Sequence, residues 1–135
     1  MDKVTVHIEV DVNPTENEAK VKKALWNLFG DIPTETNPTH KGSILTANAT
    51  GLESLVTLKN ALRRDHIRDA ARKALYGGIR SGVVSFFLNK QVAYVNHVSF
   101  SEESAESPLG PIRVEVSCEN PRELIDWLAP KTAKT

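Results

Sequence analysis

Cysteine is almost missing from this chain. Cys118 stands alone among 135 residues, which excludes an internal disulfide and a cysteine-rich metal centre. The four histidines, His7, His40, His66 and His97, are dispersed without ligand spacing, so no metal is expected. No apolar run approaches the length of a membrane-spanning helix. The N-terminus passes from Asp2 and Lys3 straight into an alternating pattern, which is unlike a signal peptide. These absences predict a reduced, cytoplasmic protein with no membrane partner. Catalytic signatures are lacking as well. Ser107 has no small-residue elbow around it, and neither Gly77-Gly78 nor Gly110 follows a strand and opens a helix as a phosphate loop does. No enzyme activity and no cofactor are expected. Aromatics make up only 6%, whereas a sheet that stacks bases needs them on its open face. Phe86, Phe87, Tyr94 and Phe100 read as core instead.

Net charge is also missing, since 17 Lys and Arg balance 17 Asp and Glu. The distribution is uneven, however. Residues 59–80 hold seven basic against two acidic residues, while residues 1–58 hold five against eight and residues 81–135 five against seven. An acidic body with one basic segment can orient a polyanionic partner.

That segment, KNALRRDHIRDAARKALYGGIR, spans Lys59 to Arg80. Leu58, Leu62, Ile67, Ala71, Ala74 and Leu75 recur mostly at helical steps and predict an amphipathic helix. The step of five from Leu62 to Ile67 predicts a kink or a break into two helices. Arg64, Arg68 and Arg72 stand at i, i+4 and i+8, along one side of a continuous helix. Three guanidinium groups in a row could track a nucleic-acid backbone. They could equally form a solvated face, with Asp65 pairing Arg68 and Asp69 pairing Arg72 and Lys73.

Taken in order, Val4 to Val12 alternates apolar and polar residues and predicts a strand. Thr15 and Glu18 suggest a capping box, Val21, Leu25, Leu28 and Phe29 a helical stripe, and Gly30 its end. Trp26 lies off the stripe, where it would cover the helix edge or meet a partner. Residues 31–42 read as a surface loop with two prolines. Ser43 to Thr50, Val83 to Leu88, Val92 to Phe100 and Ile112 to Cys118 read as strands, with Asn89-Lys90-Gln91 as a hairpin turn. Residues 101–111 form an acidic loop, and Cys118 shares its strand's apolar alternation, as a buried thiol would. Asn120, Pro121 and Glu123 start a last helix that Pro130 stops. The order is β-α-β-α(α)-β-β-β-α. It predicts a two-layer α+β domain over residues 1–130, with a five-stranded sheet, antiparallel or in part mixed, and helices on one face. Residues 131–135 are expected to be a flexible tail.

Four blocks, RRDHIRDAARKAL (63–75), FFLNKQVAYVNHVSF (86–100), ESPLGPI (106–112) and IDWLAP (125–130), together resemble an archaeal group, uncharacterised protein family 0201. The resemblance extends to the opening VTVHIEVDVNPTENEAKVKKAL and covers nearly the whole chain. Val92 and Asn96 depart from it, since Ala and Gly are expected there. The resemblance implies the fold of the ribosomal protein that holds 5S RNA, and an RNA partner, ribosomal or otherwise structured.

The candidate RNA-binding residues are Arg63, Arg64, Arg68, Arg72, Lys73 and Arg80 on the basic segment and Asn89, Lys90 and Gln91 at the hairpin tip. Shape and backbone recognition of folded RNA suits them better than base reading. The rival expectation is a protein-interaction module or homodimer without nucleic acid, joined through Trp26, Trp127 or the polar sheet face.

Overall fold

The computed structural model describes residues 3–101 and 110–131. The opening alternation becomes β1 (Val4–Val12), with Val4, Val6, Ile8, Val10 and Val12 all buried. Helix α1 (Glu18–Phe29) follows, and Gly30 ends it at φ 76°. Its cap is Asn17, whose side chain accepts from the Ala19 amide at 2.8 Å, and not Thr15. The turn after β1 displaces the start, because the Asn13 amide donates to Glu16 Oε1 at 2.9 Å and the Glu16 amide to the Asn13 carbonyl at 2.8 Å.

Residues 31–42 are not simply a loop. They contain β2 (Thr34–Thr39), which pairs antiparallel with β3 (Gly42–Thr50). β2 is the outermost strand and almost wholly exposed, so no buried face imposes alternation, and an edge accommodates Pro38.

A short 3₁₀ turn at Leu52–Leu55 leads into α2 (Val56–Arg64), and α3 (Arg68–Gly77) comes after a break. The five-residue apolar step marks that break, where His66 takes a left-handed φ of 58°. After α3 come β4 (Ile79–Arg80) and β5 (Val83–Leu88). The expected hairpin and strand over residues 89–100 are replaced by a short helix, α4 (Lys90–Tyr94), and a two-residue return strand, β6 (Phe100–Ser101). Asn89 decides this locally, because its side chain accepts from the Val92 amide at 2.9 Å and caps a helix. The excursion closes through the Asn89 amide on the Ser99 carbonyl at 2.8 Å. Asn96 within it takes φ 67°, a conformation that favours glycine and that asparagine tolerates.

The chain ends with β7 (Ile112–Cys118) and α5 (Pro121–Leu128), the latter capped by Asn120 on the Glu123 amide at 3.1 Å. Most of the acidic stretch 101–111 and of the tail 131–135 lies outside the described residues.

The sheet has seven strands, not five. Its order is β2-β3-β1-β7-β5-β4, with β6 also on β5, and every described pairing is antiparallel. The two extra strands, β2 and β4, are the polar edge strand and a two-residue strand that carries no periodicity. Register aligns Leu45, Val10, Ile112 and Leu88 across the four central strands, and Ala47, Ile8, Val114 and Phe86 beside them. These rows are buried in one cluster with Leu25, Leu28, Leu58, Leu62, Leu75, Leu124 and Ile125 of the helices. The helices thus cover one face. The other carries His7, Glu9, Arg113, Glu115 and Phe87, and His7 Nδ1 lies 2.7 Å from Asn48 Oδ1.

Candidate nucleic-acid interface

The break between α2 and α3 separates the arginine row. Arg64 belongs to α2, while Arg68 and Arg72 belong to α3. Arg64 Nε lies 3.0 Å from Asp65, and its Nη2 donates to the Asn96 carbonyl. Asp65 also accepts from the Val98 amide at 2.8 Å and faces His97 at 3.3 Å. Burial would raise the Asp65 carboxyl, but the bonds from Arg64, Val98 and His97 outweigh it and hold the pKa at about 2. Arg72 donates to Asp126 and to the Ala129 carbonyl, both at 2.9 Å, and its side chain is only 14% exposed. It satisfies the end of α5 and lies against the Tyr76 ring. Arg64 and Arg72 are therefore structural ties, and their carboxylate partners are Asp65 and Asp126. Arg63, Arg68 and Lys73 make no ion pair among the described residues, and Arg80 bonds only the Ile79 carbonyl at 3.2 Å.

The expected display of Asn89, Lys90 and Gln91 reduces to Gln91, which is exposed. Asn89 is spent on capping α4. Lys90 is 5% exposed, with Nζ donating to the Asp11 carbonyl at 2.7 Å and to the Glu16 carboxylate at 2.9 and 3.1 Å. Burial pushes Glu16 upward, but the Asn13 amide and Lys90 outweigh it and leave the carboxyl below its usual range. The lysine ties β1, the following turn and α4 together. Sequence alone hides this, because its partner lies 74 residues away.

A different surface gathers Lys73 and Arg80. A groove of about 900 Å³ is bounded by α3 and by the β4-β5-β6 side of the sheet, and reaches the helix-free face where Phe87, Arg113 and Glu115 stand. Its helical wall is Ala70, Lys73, Ala74 and Gly77, so only lysine projects a long side chain there. The C-terminus of α3 sits directly on the strand. The Ser85 amide donates to the Gly78 carbonyl at 3.0 Å, and a Cβ on Gly78 would lie 1.9 Å from the Ser85 carbonyl oxygen. Beyond that contact the groove opens, since β4 and β6 each cover only two residues of β5. Arg80 and Arg113 add cations, Phe87 and Phe100 add rings, and Glu115 is the one carboxylate among the described lining residues. Arg113 approaches Glu9 at 3.7 Å and Asp11 at 3.9 Å, longer than charged hydrogen bonds usually are.

Arg113 and Phe87 are absent from the candidate RNA-binding residues named from sequence, where Phe87 reads as core. Phe86 is core as expected, whereas Phe87 faces the other side and Tyr94 is 36% exposed beneath Lys20. The signal was present in β5, where buried Val84, Phe86 and Leu88 require Phe87 to face outward. Among the described residues no three of His, Cys, Asp and Glu converge as a metal requires. Nor is any helix among them long and apolar enough to cross a membrane.

An antiparallel α+β domain with a cation-lined groove defines a class that comparison with known proteins specifies. Residues 5–118 match the family model described as RNA binding. The chain belongs to the UPF0201 family of archaeal proteins. It is 45% identical over 127 residues to a UPF0201 protein of Sulfurisphaera tokodaii, covering 94% of this chain and 88% of that one. It is 44% identical over 124 residues to a UPF0201 protein of Pyrobaculum islandicum, covering 91% and 87%. The crystal structure of a UPF0201 protein from Methanococcus jannaschii superposes with a TM-score of 0.84 at 32% identity, covering 93% of this chain and 99% of that one.

Proposed function

We propose that this protein is a non-enzymatic RNA-binding protein that holds structured RNA by its backbone. Lys73 and Arg80 of the basic segment, with Arg113, would meet phosphates in the groove, while Arg63, Arg68 and Gln91 extend the contact outside it. The observation that carries this reading is the division of the cations. Arg64, Arg72 and Lys90 are consumed by the fold, whereas Lys73 and Arg80 line one groove without a carboxylate partner among the described residues. The match to an RNA-binding family model supports it. The likeness to the ribosomal protein that holds 5S RNA belongs to the same proposal.

Electrophoretic shift of archaeal ribosomal RNA fragments tests it. The protein should retard RNA at low salt and less at moderate salt, and the double variant Lys73→Ala, Arg80→Ala should retard it weakly at either. Undiminished retardation by the double variant contradicts the assignment.

A second reading rests on Trp26, which is 57% exposed on α1 with Lys23 5.8 Å from its ring. It borders a smaller depression with Leu25, Gly30 and Ile32, as a protein contact would. A concentration-dependent rise in sedimentation coefficient that Trp26→Ala abolishes would favour self-association.

A further inference from the structure

The groove holds more than a duplex backbone requires. Phosphates of a continuous RNA helix lie on its outside and its bases are stacked within, so a duplex can use surface cations but not recessed rings. Here part-exposed Phe87 and Phe100 line the same groove as Lys73, Arg80 and Arg113. We propose that this groove takes an unstacked nucleotide, from a bulge or a single-stranded stretch, with the base on Phe87 and its flanking phosphates on Lys73 and Arg80. The proposal rests on the RNA-binding reading and names the RNA element bound at that site.

Three features support it. The volume, about 900 Å³, lies in the range of small-molecule pockets and admits a nucleotide. The helical wall is lowered by Ala70, Ala74 and Gly77, which lets a flat base approach without displacing side chains. Phe87 shares its rung with Arg113 on one side and Ser101 on the other. The ring therefore has a cation and a hydroxyl as neighbours, suited to a base and its attached backbone. Phe100 is steadied from the core by Phe86, with ring centroids 5.8 Å apart. Stacking on phenylalanine tolerates any base, so the site should recognise an unpaired position without reading its identity.

The test compares two RNA hairpins identical except for one bulged 2-aminopurine, titrated with the full chain. The bulged hairpin should bind about 10-fold more tightly, as one stacked base allows, and its 2-aminopurine emission should change on binding. Phe87→Ala should erase the preference while leaving affinity for the paired hairpin in place, and Phe87→Tyr should restore it. Phe100→Leu, which keeps apolar bulk and loses the ring, guards against a folding defect and should weaken only the bulged complex. Equal affinity for both hairpins, untouched by Phe87→Ala, overturns the proposal and leaves backbone binding standing. Absence of binding to either hairpin overturns both.

Discussion

Two residues show how single side chains decide between fold and function. Lys90 looks like an exposed cation at a turn, but its ammonium is buried against Glu16, whose side chain is only 11% exposed. Lys90→Met would fill the space yet leave a carboxylate buried without its cation, a loss of about 3–5 kcal/mol. Urea denaturation should show this as a lower midpoint, and RNA affinity of the folded fraction should hold. Asn96 acts through its backbone, with φ 67° and a carbonyl that accepts from Arg64. Asn96→Gly should be nearly neutral, whereas Asn96→Val should cost about 1–2 kcal/mol because a β-branched residue resists the left-handed region. The sequence already pointed to this position, since a glycine is expected there by resemblance. It could not show which carbonyl depended on it.

Elements with one buried and one wet face were readable, and those without were not. β1 and β7 alternate because each lies mid-sheet under helices. α5 announces itself through Asn120, Pro121 and Glu123. β2 is almost wholly exposed and so has no pattern to read, and α4 contains Val92 and Tyr94, whose strand propensity Asn89 overrides. The α2–α3 junction is the element on which acid stability should turn. The Asp65 carboxyl falls from an ordinary 3.8 to about 2 in the fold, so the native state favours its charged form. That stabilisation is complete above the unfolded value and is lost as pH falls through the folded one. Thermal midpoints should therefore drop between about pH 4 and 2, by an amount worth about 1–2 kcal/mol, and Asp65→Asn should flatten that limb. The α3–β5 contact is tested by Gly78→Ala, whose methyl would collide with the Ser85 carbonyl. Backbone cannot yield as a flexible side chain does, so a loss of about 1–3 kcal/mol is expected in chemical denaturation.

At the scale of the whole molecule, a chain of zero net charge offers a groove where Lys73, Arg80 and Arg113 gather, with Glu115 in its lining and Glu9 and Asp11 beside Arg113. The candidate site was half legible. Charge bookkeeping along the chain located the basic segment, but tertiary pairing decided which cations remained available, and Arg113 joined them from a strand more than 30 residues further on. Backbone recognition by such a groove must be salt-sensitive, because each neutralised phosphate releases condensed counterions. The most direct measurement is the salt dependence of affinity for a bulged RNA hairpin, by fluorescence anisotropy, for the native protein and the Lys73→Ala, Arg80→Ala variant. Three phosphate contacts predict a slope of log affinity on log salt of about −2 to −3, and the variant should lose about 1.5 of it. Identical slopes for the two proteins, or no binding at about 50 mM salt, would contradict the assignment of that groove to RNA.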